Sequence, residues 1–143
     1  MLVFTACQED VTVRNIKGAY RYKASGIVQI AAPNETSVRT HTLTETGVLE
    51  LVSLRDGNDL LLTFNQSGGG VYTTRAAASE ETLRFDPFAR TMTVDLETYN
   101  VEVSGRGEVY DNTIILYLTL NGKSVSSDKT LQSTEIQMLA QKN

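Results

Sequence analysis

Apolar and polar residues alternate with a period of two through most of this chain from about residue 18 onward. In the run Gly18–Ile30 the even positions are Tyr20, Tyr22, Ala24, Gly26, Val28 and Ile30, while Arg21, Lys23, Ser25 and Gln29 fill most of the odd ones. A strand sends successive side chains to opposite faces, so such a segment has one dry face and one wet face. The pattern returns at Met92, Val94 and Leu96 against Thr91, Thr93 and Asp95, and at Val101, Val103 and Val109 against Glu102, Ser104 and Glu108. Ile114, Leu116, Leu118 and Leu120 continue it, as do Ile136, Met138 and Ala140. No segment sustains an i, i+3, i+4, i+7 apolar stripe beyond two helical turns. The reading is an all-β chain.

Turn residues separate these runs at short intervals. Asp56-Gly57-Asn58-Asp59 stands between Val48–Leu54 and Leu60–Phe64, and Ser67-Gly68-Gly69-Gly70 precedes Val71–Arg75. Asp86-Pro87 fits the first half of a type I turn. Asp111-Asn112 and Asn121-Gly122 fit hairpin turns, because Asn, Asp and Gly tolerate positive φ. Strands joined this tightly are antiparallel, since a parallel crossover needs a dozen or more residues. Gly47 and Gly105-Arg106-Gly107 fall inside long apolar-polar runs, where glycine marks a bulge or a bend at a barrel corner. Closure also removes the two edges that an open meander would expose. The expectation is a single antiparallel up-and-down β-barrel of about eight strands, with a β-sandwich as the alternative.

The composition limits function more than it suggests one. At 143 residues the chain is one domain, and a globule of this size buries roughly 70% of the surface of its unfolded chain. The net charge is −4, with 13 basic and 17 acidic residues and no basic stripe. This argues against nucleic acid as a partner, whose affinity rests on phosphate neutralisation. No apolar stretch approaches the roughly 20 residues of a membrane helix, so any membrane attachment would be through lipid.

The single cysteine, Cys7, follows Met1-Leu2-Val3-Phe4-Thr5-Ala6 and precedes Gln8-Glu9-Asp10. This arrangement resembles a bacterial lipoprotein cleavage box, in which the cysteine becomes the acylated N-terminus. The apolar part is shorter than the 7–15 residues of a full signal and lacks a basic leader. A start codon assigned too far downstream, or trimming at the 5′ end, would account for that. The plain alternative is an N-terminal stub with a buried or free thiol. Gly18-Ala19-Tyr20 is similar to the Gly-x-Trp opening of lipocalins, with Tyr in place of Trp. Together with the run from Val103-Ser104-Gly105-Arg106-Gly107 to Thr113–Leu120 and a last strand near the C-terminus, it resembles the lipocalin-like (calycin-like) lipoproteins of Bacteroidetes bacteria. The resemblance covers roughly residues 7–143. It implies residues 1–7 as residual signal peptide and lipobox, 8–15 as a tether, and 16–143 as the barrel. It also implies a lipid-anchored location at the outer membrane, periplasmic or surface-exposed.

Candidate chemistry is sparse. His41 is the only histidine and has no second histidine to share a metal, so it reads as a solvated strand residue. The threonines around it, Thr36, Thr40, Thr42, Thr44 and Thr46, read as a solvent-facing strand surface. Asp56, Asn58 and Asp59 lack calcium-loop spacing and serve as a turn. Gly68-Gly69-Gly70 lacks the Lys-Ser/Thr of a phosphate loop. Glu80-Glu81 and the pair Asp95 and Glu97 read as solvated carboxylates rather than a glycosidase dyad. Nothing supplies a nucleophile with an adjacent base, so neither catalysis nor a cofactor is expected. The aromatics Phe64, Tyr72, Phe85, Phe88 and Tyr99 fall near strand ends, where the mouth of a barrel would be. They are the candidate ligand-binding residues, although the absence of Trp removes the usual platform for stacking sugars. Two expectations stand: a barrel binding a small apolar or amphipathic ligand, or a filled barrel that binds an envelope protein as a structural or accessory lipoprotein.

Overall fold

The computed structural model describes residues 16–54 and 59–142. Ten strands follow one another along the chain: β1 Gly18–Ala31, β2 Arg39–Ser53, β3 Asp59–Gln66, β4 Val71–Ser79, β5 Thr82–Phe85, β6 Phe88–Val94, β7 Glu97–Tyr110, β8 Thr113–Ser124, β9 Thr130–Ser133 and β10 Ile136–Lys142. Every pairing is antiparallel, and the sheet closes on itself where β10 pairs with β1, Tyr20 opposite Lys142 and Ser25 opposite Gln137. The closed ring runs β1-β2-β3-β4-β5-β7-β8-β10. This is the eight-strand, all-β barrel that the alternation predicts, in meander order. The sandwich alternative is set aside by the β1–β10 ladder, because a sandwich leaves its end strands unpaired with each other.

Ten segments make an eight-strand ring because two strands are broken. β5 and β6 form one strand interrupted at Asp86-Pro87, and both pair with β7. Asp86-Pro87 is therefore a bend within one wall strand, where the sequence suggests a chain reversal. β9 and β10 form a second broken strand, flanked by β1 and β8. The unbroken neighbours bend with them. β7 passes from β6 to β5 at Gly105, where a Cβ would stand 2.0 Å from the carbonyl oxygen of Tyr117. Gly47 faces Tyr22 across β1–β2, and the tyrosine ring fills the space a side chain there would need.

One turn expectation is met, and two local readings are corrected. Asp111-Asn112 is a tight β7–β8 turn, with Asn112 at φ 59°. Asn121-Gly122, by contrast, lies inside β8, paired with β7 on one side and β9 on the other. Leu96 is not an inward strand residue but the fully exposed tip of the β6–β7 turn, where Asp95 and Leu96 both adopt positive φ. Most of the Asp56–Asp59 turn lies outside the described residues.

The core is the barrel interior. Tyr20, Leu49, Leu51, Leu60, Leu62, Leu83, Ile114, Leu116, Leu131 and Ile136 are each no more than 2% exposed. Full burial of one aliphatic side chain of this size is worth about 1.5–3 kcal/mol. The even positions of β1 predicted to be dry, Tyr20, Tyr22, Ala24, Val28 and Ile30, all face this core. Tyr20 closes its lower end by donating its hydroxyl to the carbonyl of Ile16 at 2.6 Å.

Candidate functional site

The barrel wall is continuous in its lower half and interrupted in its upper half. The β2–β3 ladder ends at Gly47 opposite Gln66, and the β4–β5 ladder ends at Ala76 opposite Phe85. Above that level β2 is paired only with β1, and β6 only with β7, among the described residues. Side chains close the resulting seam. Thr40, Thr42, Thr44 and Thr46 point outward, so His41, Leu43 and Glu45 point in. From β6, Phe88, Arg90, Met92 and Val94 share the inward parity.

Glu45 and Arg90 meet across the seam. Arg90 donates from Nη2 to Glu45 Oε1 at 2.9 Å and from Nη1 to Oε2 at 3.2 Å. The two side chains are 11% and 7% exposed, Arg90 and Glu45 respectively. Tyr22 donates its hydroxyl to Glu45 Oε2 at 3.2 Å, Gln66 accepts from Arg90 Nη2 at 3.3 Å, and the guanidinium lies 4.9 Å from the centre of the Tyr72 ring. Tyr72 in turn donates to the carbonyl of Thr91 on β6 at 3.3 Å, bridging β4 to β6 without a ladder. Burial, then the charge and hydrogen bond of Glu45, push the Tyr22 phenol far above its ordinary range. Both carboxylate oxygens are thus occupied, and the group works as a strut. Arg90 Nε is buried without an acceptor among the described residues.

The predicted aromatics divide around this strut. Phe64 and Phe88 stack at 5.2 Å, Phe85 tilts against Phe88 at 6.2 Å, and Tyr22 meets Phe64 edge-on at 6.4 Å. Phe64, Tyr72 and Phe88 line a small void together with Leu43, Glu45 and Arg90. Its volume is about 20 Å³, enough for one water, which needs roughly 10–15 Å³. Tyr99 lies apart, beneath a hollow of about 100 Å³ at the upper rim that also touches Arg39, His41, Asp95, Glu97 and Lys129.

That rim corrects two readings. His41 is not a solvated strand residue: it faces inward, its side chain 24% exposed, with Nε2 3.3 Å from Asp95 Oδ2. Glu97 is held by Ser127 and by Lys129, whose Nζ is 3.3 Å away, and hydrogen bonds from Ser124 and Ser127 lower its pKa. Asp59 pairs with Arg75 across β3–β4, a role as a strand clamp rather than a metal ligand. No group of three or more His, Cys, Asp or Glu side chains able to hold a metal occurs among the described residues.

The sequence reading missed Glu45 and Arg90. The signal was present in the parity, since four outward threonines place residue 45 inside and Phe88 with Met92 place residue 90 inside. Charge masked it, because a charged residue within an alternating run reads as a wet position. Cys7 lies outside the described residues.

The fold and the seam define an all-β barrel with a packed interior. No family model and no curated protein matches the chain. A solved structure from Bacteroides ovatus, a structural-genomics target of unknown function, is similar with a TM-score of 0.37 and 14% identity over 85% of this chain. The match spans 41% of that protein's chain.

Proposed function

We propose that this chain is a non-enzymatic accessory lipoprotein of the bacterial envelope. In this reading lipid on Cys7 anchors it at the outer membrane, and a filled barrel offers its outer surface to a protein partner. The observation that supports a filled barrel over a ligand carrier is the interior itself. The void beside Phe64, Tyr72 and Phe88 measures about 20 Å³, whereas small-molecule sites occupy roughly 300–1,000 Å³. The closing strut of Glu45 and Arg90 adds to this, since an apolar guest entering by the seam would have to part a buried ion pair.

Purification of the full-length protein from its native host, followed by intact-mass and organic-extract mass spectrometry, tests both halves. The expected result is an acylated N-terminus at Cys7, no stoichiometric small molecule, and a protein neighbour recovered by crosslinking. Cys7→Ala is expected to move the protein from the membrane fraction to the soluble fraction with its circular dichroism unchanged. Recovery of one apolar molecule per chain would overturn the filled-barrel reading in favour of ligand carriage. An unmodified Cys7 with the preceding residues retained would overturn the anchor.

A further inference from the structure

A shallow groove of about 590 Å³ runs over the outer wall of the upper barrel, on the opposite face of the wall from the seam's interior. Strand register builds its polar lining as two rows. Glu102 on β7 stands opposite Asn121 on β8, which stands opposite Gln132 on β9; two residues along, Asn100, Lys123 and Thr130 repeat the arrangement. Neighbours within a row are one strand spacing apart, roughly 4.7–4.9 Å, and the rows are separated by roughly 6.6 Å along the strands. None of these six side chains makes a hydrogen bond or ion pair with another described residue. Exposed Ala89 adds an apolar element to the groove, whose floor lies over the buried Val101 and Leu131.

The chemistry of the lining selects a class of ligand. One carboxylate and one ammonium cancel, which favours a neutral ligand over a phosphate chain or a polycation. Three carboxamides each donate and accept, and a hydroxyl does both at a single atom. The matching ligand carries closely spaced groups that also donate and accept, as the hydroxyls of a sugar do. An extended peptide fits less well. Peptides are commonly taken up by strand addition, and here β7, β8 and β9 are each paired on both edges.

We propose that this groove binds a neutral, extended oligosaccharide laid across β7, β8 and β9. Glu102 accepts from hydroxyls, Lys123 donates to hydroxyl or ring oxygens, and Asn100, Asn121 and Gln132 do both. The C–H faces of the sugar rest on Ala89. Among the described residues no aromatic ring lines the groove, so recognition rests on hydrogen bonds made in competition with water, and affinity is correspondingly weak. The site is independent of what fills the barrel and of how the chain is anchored.

Titration of the isotope-labelled full chain with cellohexaose and with chitohexaose, followed by amide NMR, tests the site. Saturable shifts are expected at residues 100–102, 121–123 and 130–132. Asn121→Ala and Gln132→Ala should each weaken binding about tenfold, a factor read directly from the titration. Glu102→Gln, which keeps the size of the side chain, should weaken it as well. All three positions are exposed, so thermal unfolding should not move. No shift with either sugar, shifts centred elsewhere, or unchanged binding in all three variants would overturn the proposal. So would an equal response to a neutral alanine-glycine hexapeptide, which would make the groove a peptide site.

Discussion

Glu45 and Arg90 place a full positive and a full negative charge inside a wall that is otherwise apolar. Taking both from water is expensive, and their attraction repays that only while the two remain together. The seam therefore responds asymmetrically to substitution. Glu45→Ala alone strands the guanidinium, which already has one unsatisfied nitrogen, and is expected to cost about 3–5 kcal/mol in urea unfolding. The paired change Glu45→Leu with Arg90→Met fills the same space without charge, and is expected to be neutral or stabilising. If the double variant were as damaged as the single one, the pair would be contributing more than mutual neutralisation. Tyr22 belongs to the same unit, because its hydroxyl is the third donor to the carboxylate after the two Arg90 nitrogens.

At the scale of the element, bending rather than propensity decides where each strand goes. β7 changes partner at Gly105, and the opposing backbone of β8 lies so close that a Cβ would stand 2.0 Å from the Tyr117 carbonyl oxygen and 3.0 Å from its carbon. Backbone cannot step aside as a side chain can. Gly105→Ala is expected to destabilise the protein by about 1–3 kcal/mol, the usual cost of forcing extra atoms into a packed site. Gly68→Ala is the matched control: in the β3–β4 turn its nearest atom would be the Gln66 side-chain nitrogen at 3.9 Å, and its effect should stay within about 0.5 kcal/mol. Chemical denaturation of the two variants side by side measures the difference. Equal midpoints would show that β7 and β8 can separate without loss.

At the scale of the whole molecule, the ring closes only when the first strand finds the last, Tyr20 with Lys142. Closure also fixes how the protein meets alkaline conditions. Tyr20, Tyr22 and Tyr99 are raised above the ordinary 10.0 chiefly by burial, and Tyr110 and Tyr117 chiefly by hydrogen bonds to Glu108. A group whose folded pKa is raised contributes stability in full below its unfolded value and loses it as pH rises through the folded one. Stability should therefore hold up to about pH 10 and fall beyond it, where the unfolded chain releases protons that the folded one keeps. Tyrosinate absorbance followed together with circular dichroism checks this. The larger part of the absorbance rise should accompany loss of the β signal; its completion near pH 10 with the β signal intact would contradict this.

Local chemistry in the chain was enough to determine a good deal of this protein. The period-two pattern placed Tyr20, Tyr22, Ala24, Val28 and Ile30 on the inner face of β1, because side-chain alternation belongs to the strand itself and needs no partner. The short turns made neighbours antiparallel, and the glycine inside the Tyr99–Tyr110 run marked a bend. What failed was whatever depends on a partner distant in sequence. Asn121-Gly122 has the composition of a turn, yet it lies within a strand because β7 and β9 pair with it from both sides. Asp86-Pro87 bends one strand instead of reversing the chain, because β7 continues past it as a common template. His41 read as solvated and Glu45 and Arg90 drew no notice, because a polar residue at a single position looks wet, and only the closed barrel brings Glu45 to Arg90, 45 residues away. The sequence could state which residues share a face of a strand. Which of those faces meet, and how little space is left between them, was decided by closure alone.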